Sequence, residues 1–375
     1  MKRTRQQLGK SERWVVKIGS ALITRNSKGL DHDALASWAH QIAHLRATGK
    51  SIVLVSSGAI AEGMSRLRWR KRPHALHKLQ AAAATGQMGL IQAYESHFQK
   101  HGLHSAQILL THDDLRDRCR YLNARSTLRT LLDLQIIPVV NENDTVATDE
   151  VRFGDNDTLA ALVANLMDAQ LLVILTDQQG LYDRNPNKYD NTKLIESAKV
   201  TDQALDLAAG PSGGDLGQGG MITKINAARL AARSGTSTLI VPGRELGILE
   251  RIAQGQNCGS LLLPADEPMA ARKRWIANQL RLRGTLTLDA GASRMIRNSG
   301  SSLLPVGVTH IRGRFMRGDM VACLDPQGCE IARGLINYGV SEATRIKGRP
   351  SGKIEAILGY VDEPELIHRD NLVLT

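Results

Sequence analysis

Gly217-Gln218-Gly219-Gly220-Met221-Ile222-Thr223-Lys224 is a glycine-rich turn that runs into a helical pattern and carries a lysine one turn in. Glycines let backbone N–H groups crowd around a phosphate, and a helix N-terminus adds partial positive charge. A second lysine stands in Val15-Val16-Lys17-Ile18-Gly19-Ser20, at the end of a short apolar run before another glycine turn. Two lysines on two glycine turns, roughly 200 residues apart, predict a phosphate gripped from both sides. The grip is not a P-loop. No G-x-x-x-x-G-K-[ST] occurs, and Gly9-Lys10-Ser11 and Gly49-Lys50-Ser51 lack the upstream glycine. No G-x-G-x-x-G opens a helix after a strand either, so the phosphate site requires another architecture.

Outward from these turns, strand and helix patterns alternate from Trp14 to about Leu263. Apolar strand-like runs lie at Ile52–Val55, Ile108–Leu110, Ile136–Val140, Leu171–Leu175, Thr238–Val241 and Leu261–Leu263. Between them Leu35, Trp38, Ala39 and Ile42 fall at helical spacing, with Asp31 or Asp33 as N-cap. Leu159, Leu162, Val163 and Leu166 repeat the pattern after Asp157, and Met221, Ile225, Ala228 and Ala232 after the glycine turn. This alternation predicts an α/β fold, a mostly parallel sheet sandwiched by helices, with ligands beyond the C-terminal strand ends. Pro264-Ala265-Asp266-Glu267-Pro268 and Arg272-Lys273-Arg274 mark a boundary. Beyond it Thr285–Leu288, Gly307–Ile311, Asp319–Leu324 and Glu330–Leu335 read as short strands, with Asp325-Pro326-Gln327-Gly328 as a turn. The expected division is a basic tail (1–12), an α/β domain (13–264), a linker (265–280) and a small β-rich domain (281–375).

Hydrophobic residues make up 42% of the 375 and aromatics only 3%, so the core must be mainly Leu, Ile, Val and Ala. The net charge of +11 is partly local, in Lys2, Arg3, Arg5, Lys10 and Arg13 and again in Arg66, Arg68, Arg70, Lys71 and Arg72. Both runs read as solvated surface. Cys119, Cys258, Cys323 and Cys329 show no C-x-x-C spacing, which predicts buried reduced thiols rather than a metal site or disulfides. The apolar stretch Trp14–Ile18 is too short for a signal sequence, and nothing approaches a membrane span, so a cytoplasmic protein is expected.

The polar motifs follow the predicted strands. Ser57, in Val55-Ser56-Ser57-Gly58-Ala59-Ile60, offers a hydroxyl beside free N–H groups, although a plain strand-to-helix turn reads equally well. Asn141-Glu142-Asn143-Asp144 and Gly154-Asp155-Asn156-Asp157 hold more polar side chains than a tight turn needs. A helix N-cap is the plain alternative for Asp155 or Asp157. Carboxylates beside a phosphate grip would hold Mg²⁺, orient lysines or pair with a substrate ammonium. Thr176 and Asp177 end another strand, where nucleotide contact and an ordinary turn compete. Together the set fits phosphoryl transfer, with Lys17 and Lys224 as the cations. A carboxylate acceptor is already ionised near neutral pH and needs no general base, which agrees with the lack of a convincing catalytic histidine.

These motifs resemble the glutamate 5-kinase branch of the amino acid kinase family, followed by a PUA domain. The likeness runs from about Val15 to His368, with Ser301-Ser302-Leu303-Leu304-Pro305 and Ala356-Ile357-Leu358-Gly359-Tyr360 as tail markers. The resemblance implies ATP- and Mg²⁺-dependent phosphorylation of the γ-carboxylate of L-glutamate to γ-glutamyl phosphate, the first step of proline biosynthesis. It implies a homo-oligomer, feedback inhibition by proline and handover to glutamyl phosphate reductase. Lys17 would touch the ATP phosphates, Lys224 the transferring phosphoryl group, and Asp157 would orient both. Ser57, Asp144 and Asn156 match the glutamate contacts, with Asp155 beside them. Thr176, Asp177 and the loop Gln218, Gly219, Gly220, Met221, Ile222, Thr223 and Lys224 match the nucleotide contacts, although Gln218 and Ile222 stand where hydroxyl residues are usual. The resemblance assigns no protein metal ligand. Relatives act on N-acetylglutamate, aspartate, carbamate or UMP, which leaves another amino acid kinase as the alternative. A PUA-mediated RNA role is the alternative from another class. The scattered tail aromatics Trp275, Phe315 and Tyr338 speak against it, so nucleic acid is not an expected partner.

Overall fold

The apolar runs become strands, each one to three residues longer than its hydrophobic stretch. A computed structural model describes residues 4–24, 29–147, 156–186, 189, 191–209, 220–265 and 282–375. The chain forms two units, one from residues 1–115 and 125–271, the other from 116–124 and 272–375. In the first unit the strands are β1 (Arg13–Ile18), β2 (Ser51–Ser56), β3 (Ser105–Leu110), β4 (Ile137–Glu142), β5 (Leu171–Thr176), β6 (Ser197–Lys199), β7 (Ser237–Pro242) and β8 (Ser260–Leu263). Among the described residues they form one eight-stranded sheet in the order β3-β4-β2-β1-β5-β7-β8-β6. Neighbours run parallel except β7 and β8, which are antiparallel. Ile18 pairs with Ser56 on one side and Leu175 on the other, and Val55 pairs with Val140. The C-terminal ends of β4, β2, β1 and β5 are therefore level, and Lys17, Ser57, Asn141, Asp144, Thr176 and Asp177 stand at or just beyond that edge.

The period of two along β1 sorts its side chains. Trp14, Val16 and Ile18 join a buried cluster with Leu35, Trp38 and Ile42 of the helix His32–Ala47 and with Tyr94 and Phe98 of the helix Leu76–Gln99. Lys17 takes the other face, which carries the helix Asn156–Leu166 packed beside the helix Met221–Ala231. Asp31, rather than Asp33, caps the first of these helices, accepting from the Ala34 N–H at 3.2 Å. Four of the few aromatics, Trp14, Trp38, Tyr94 and Phe98, are almost fully buried in this core.

The N-terminal basic run is not all solvated surface. Arg5–Gly9 form a short helix with a Thr4–Gln7 capping box. The Arg5 guanidinium donates to the carbonyls of Cys258 (2.5 Å), Glu196 (2.7 Å) and Gly259 (3.0 Å). Two of these carbonyls are consecutive and the third lies on the segment before β6, and the forked guanidinium bridges them. Lys50 serves the same segment, donating to Gly9 at 2.6 Å and Ser11 at 2.8 Å with its ammonium 4.8 Å from the Trp14 ring. The cysteines also depart from expectation. All four are free thiols, but only Cys258 and Cys323 are buried, whereas Cys119 and Cys329 are exposed.

In the second unit β9 (Gly284–Leu288), β10 (Val308–Gly313), β11 (Met320–Leu324), β12 (Glu330–Leu335) and β13 (Leu372–Leu374) order as β10-β9-β11-β12-β13, with only β9–β11 parallel. Leu286, Val321, Ile331, Ile336 and Ile367 build its core together with Phe315 and Tyr338. Those two aromatics are thus interior residues. The turn 325–328 links β11 to β12, with Gly328 at φ 84°. The expected linker, 265–280, lies outside the described residues apart from Ala265.

Candidate active site

Asp157 lies in the first turn of the helix Asn156–Leu166, with 1% of its side chain exposed. Its Oδ1 meets the Lys17 ammonium at 2.5 Å and its Oδ2 meets the Lys224 ammonium at 3.1 Å. The Thr223 hydroxyl also donates to Oδ2, at 2.7 Å. Burial pushes the Asp157 carboxyl up. The charges of Lys17 and Lys224, and hydrogen bonds from Lys17 and Thr223, outweigh burial and bring it to about 2. Lys17 arrives from a strand end and Lys224 from the first turn of a helix capped by Gly220, and both are buried. The helices that carry Asp157 and Lys224 pack side by side, with Asn165 Nδ2 donating to the Leu230 carbonyl at 3.0 Å. Two helix N-termini and two ammoniums therefore converge on the same edge of the sheet, an arrangement suited to phosphate.

Next along the edge, Asn156 Nδ2 donates to the Ser56 carbonyl and to Asn141 Oδ1, both at 2.8 Å. This ties the ends of β2 and β4 to the helix that carries Asp157. The Ser56 hydroxyl bonds the Tyr94 hydroxyl at 2.9 Å, and burial drives the Tyr94 phenol far above its usual range. The Ser57 N–H donates to the Ile18 carbonyl at 3.2 Å. Gly58 follows at φ 103° as N-cap of the helix Ala59–Arg66, and a Cβ there would lie 3.1 Å from Ile23. Asp144 sits on the turn after β4. No hydrogen bond or ion pair among the described residues joins it to the lysine cluster. Burial raises its carboxyl to about 6, with the Arg72 charge pulling the other way.

Thr176 is buried at the end of β5 and its hydroxyl donates to Asp177 Oδ1 at 3.1 Å, while Asp177 itself is exposed. Gly220, Met221 and Ile222 open the helix before Thr223 and Lys224. Asp155, Gln218 and Gly219 lie outside the described residues. Among the described residues no three His, Cys, Asp or Glu side chains gather to hold a metal ion. The donor set instead suits a Mg²⁺ carried by a nucleotide, since that ion binds through phosphates and waters with at most a carboxylate or two. The sequence reading missed Arg72, which it placed on a solvated run, and it gave Ser56, Tyr94 and Asn141 no role. Asn141 alone had a signal, as a polar residue ending an apolar strand.

The model of the amino acid kinase family matches residues 12–242, well over half of the chain. The chain belongs to the amino acid kinase family. The PUA domain model matches residues 284–358 of this amino acid kinase. It is 66% identical over 374 residues to the glutamate 5-kinase of Thioalkalivibrio sulfidiphilus, covering 100% of both chains. Against the glutamate 5-kinase of Nitrosospira multiformis identity is 62%, over 98% of this chain and 99% of the relative. Against that of Chromohalobacter salexigens it is 60%, over 99% and 98%. Among the described residues, no helix of this amino acid kinase is long and apolar enough to cross a membrane.

Proposed function

We propose that this amino acid kinase is a glutamate 5-kinase: it transfers the γ-phosphoryl group of ATP to the γ-carboxylate of L-glutamate, giving γ-glutamyl phosphate and ADP, the first step of proline biosynthesis. The observation that carries the reading is one buried carboxylate, Asp157, holding two ammoniums from distant parts of the chain. In the transfer a bond forms from a glutamate carboxylate oxygen to the γ-phosphorus, and the bond from that phosphorus to the β,γ-bridging oxygen breaks. The electron pair leaves on ADP. Charge on the migrating group spreads over its equatorial oxygens, where fixed cations act strongly in a dry site. Lys17 and Lys224 supply those cations, Lys17 toward the ATP phosphates and Lys224 toward the migrating group, a reading their shared hold on Asp157 supports. Asp157 and Thr223 fix where the ammoniums stand. Magnesium, when bound on the nucleotide, neutralises phosphate charge. Gly220 through Lys224, with Thr176 and Asp177, form the nucleotide side, to which the sequence resemblance also assigns Gln218 and Gly219.

Ser57, Asn156 and Asp144 form the glutamate side, to which the sequence resemblance also assigns Asp155. Asp144 separates glutamate from an N-acylated relative. Its half-buried carboxylate lacks full solvation, and the free α-ammonium of glutamate supplies a compensating charge that an acylated nitrogen does not. Purified protein with Mg-ATP and hydroxylamine should yield a hydroxamate from L-glutamate, and little from N-acetyl-L-glutamate or aspartate. Equal yields from the acetylated substrate would overturn the assignment. A homo-oligomer, inhibition by proline and handover of the labile acyl phosphate to a reductase extend the same reading. Repeating the assay with proline tests the second of these.

A further inference from the structure

Resting on the glutamate assignment above, we infer that the helix Leu76–Gln99 is the backing of the acceptor side of the site, and that Gln80, Gln87 and Tyr94 are positioning residues for the acceptor and not for ATP. The three side chains are seven residues apart, a spacing that keeps them on one helix face with about 20° of drift per heptad. Each reaches one of the two segments assigned to glutamate. Gln80 Nε2 donates to the Ala147 carbonyl at 3.0 Å, beyond Asp144, and Gln87 Nε2 to the Glu142 carbonyl at 3.4 Å, before it. Tyr94, 1% exposed, bonds the Ser56 hydroxyl next to Ser57. A buried phenol must find a partner, so this bond fixes the strand end as firmly as it fixes the ring.

The same helix grips the turn from a second direction. A Cβ on Gly86 would stand 1.8 Å from the Ala59 carbonyl oxygen, and one on Gly63 would stand 1.7 Å from that of Ala82. The helix Ala59–Arg66, which begins just after Ser57, therefore lies backbone to backbone on Leu76–Gln99. None of the hydrogen bonds of Gln80, Gln87 or Tyr94 reaches Lys17, Asp157 or Lys224. One helix thus braces both the Ser57 strand end and the Asp144 turn, with no direct hydrogen bond to the phosphate grip among the described residues.

The test is steady-state kinetics of the full chain carrying Tyr94→Phe or Gln80→Met, with melting temperature measured alongside. Loss of one positioning hydrogen bond should raise the glutamate KM about 5-fold, and both together more, while kcat and the Mg-ATP KM stay within about 2-fold. A lowered Tm with an unchanged glutamate KM, or equal rises in both KM values, would overturn the inference. Gln80 is half-buried near the start of the helix, so its variant keeps the test alive if Tyr94→Phe folds poorly. If the wild type phosphorylates a different carboxylate, the parent assignment falls, and the same split is then read against that acceptor's KM.

Discussion

Each unit of this chain buries an aspartate, and the two are used in opposite ways. Asp325, in the small β-rich unit, turns one oxygen to its own hairpin, accepting from the Gln327 and Cys329 N–H groups at 3.0 and 2.9 Å, and the other to Arg297 at 2.8 Å. Asp157, in the parallel-sheet unit, is held by Lys17, Thr223 and Lys224, side chains from a strand and a helix far from it in sequence. The first carboxylate satisfies local backbone donors and closes a turn. The second collects charges that the fold would otherwise keep apart. Burying two ammoniums costs far more than a turn requires, and such a cost is met at sites that bind charge.

The largest effect should come from breaking the second arrangement. Asp157→Asn leaves two buried ammoniums without their shared counter-charge, and Lys224→Ala removes one of the cations. Each should lower kcat by about 10²–10³, the range seen when a preorganised electrostatic group is lost. Lys224→Ala should leave the glutamate KM nearly unchanged, because Lys224 acts on the migrating phosphoryl group. Near-normal turnover in that variant, read as hydroxamate per minute, would remove Lys224 from the chemistry.

Breaking the first arrangement should cost stability alone. Asp325→Ala orphans two N–H groups in the hairpin and should lower unfolding free energy by about 1–2 kcal/mol, seen as a lower urea midpoint, with both KM values unchanged. A kinetic defect would mean that the small unit reaches the reaction. This contrast also marks what the sequence could reveal. Asp325-Pro326-Gln327-Gly328 was legible as a turn because its chemistry is local, and the edge of Lys17, Ser57, Asn141 and Thr176 was legible because polar residues end apolar strands. The helix Leu76–Gln99 was not, for all its 24 residues. Gly86 and Gly89 argue against a helix by propensity. They are there because another helix backbone, near Gly86, and the Arg66 guanidinium, near Gly89, occupy the space of a side chain. The reversed pairing of β8 was hidden for a similar reason, since direction in a sheet is a property of partners and leaves no mark in a four-residue apolar run. Arg5 and Arg72 sat in basic runs whose composition says nothing of which member finds a carbonyl or a carboxylate.

The smallest expected effect concerns Asp144, the carboxylate that belongs to neither pattern. Among the described residues it accepts from no turn N–H and holds no lysine, and burial raises it to about 6. A carboxyl raised in this way is ionised above that pH and neutral below it, so its pull on a substrate ammonium is present at pH 7 to 8 and fades as pH falls through about 6. The glutamate KM should therefore rise on acidification from pH 7 to 5, while the Mg-ATP KM holds. Asp144→Asn should raise the glutamate KM at neutral pH and erase this inflection. Arg72 is exposed, and its charge works against burial by lowering the same carboxyl. Arg72→Ala should consequently move the inflection to higher pH, by a fraction of a unit because an exposed cation is well screened. Measured at pH 6.5, that variant should bind glutamate about twofold more weakly than the wild type. At pH 8, where Asp144 is ionised in both proteins, the two should converge. A glutamate KM raised equally at pH 6.5 and pH 8 would mean that Arg72 meets the substrate itself rather than Asp144.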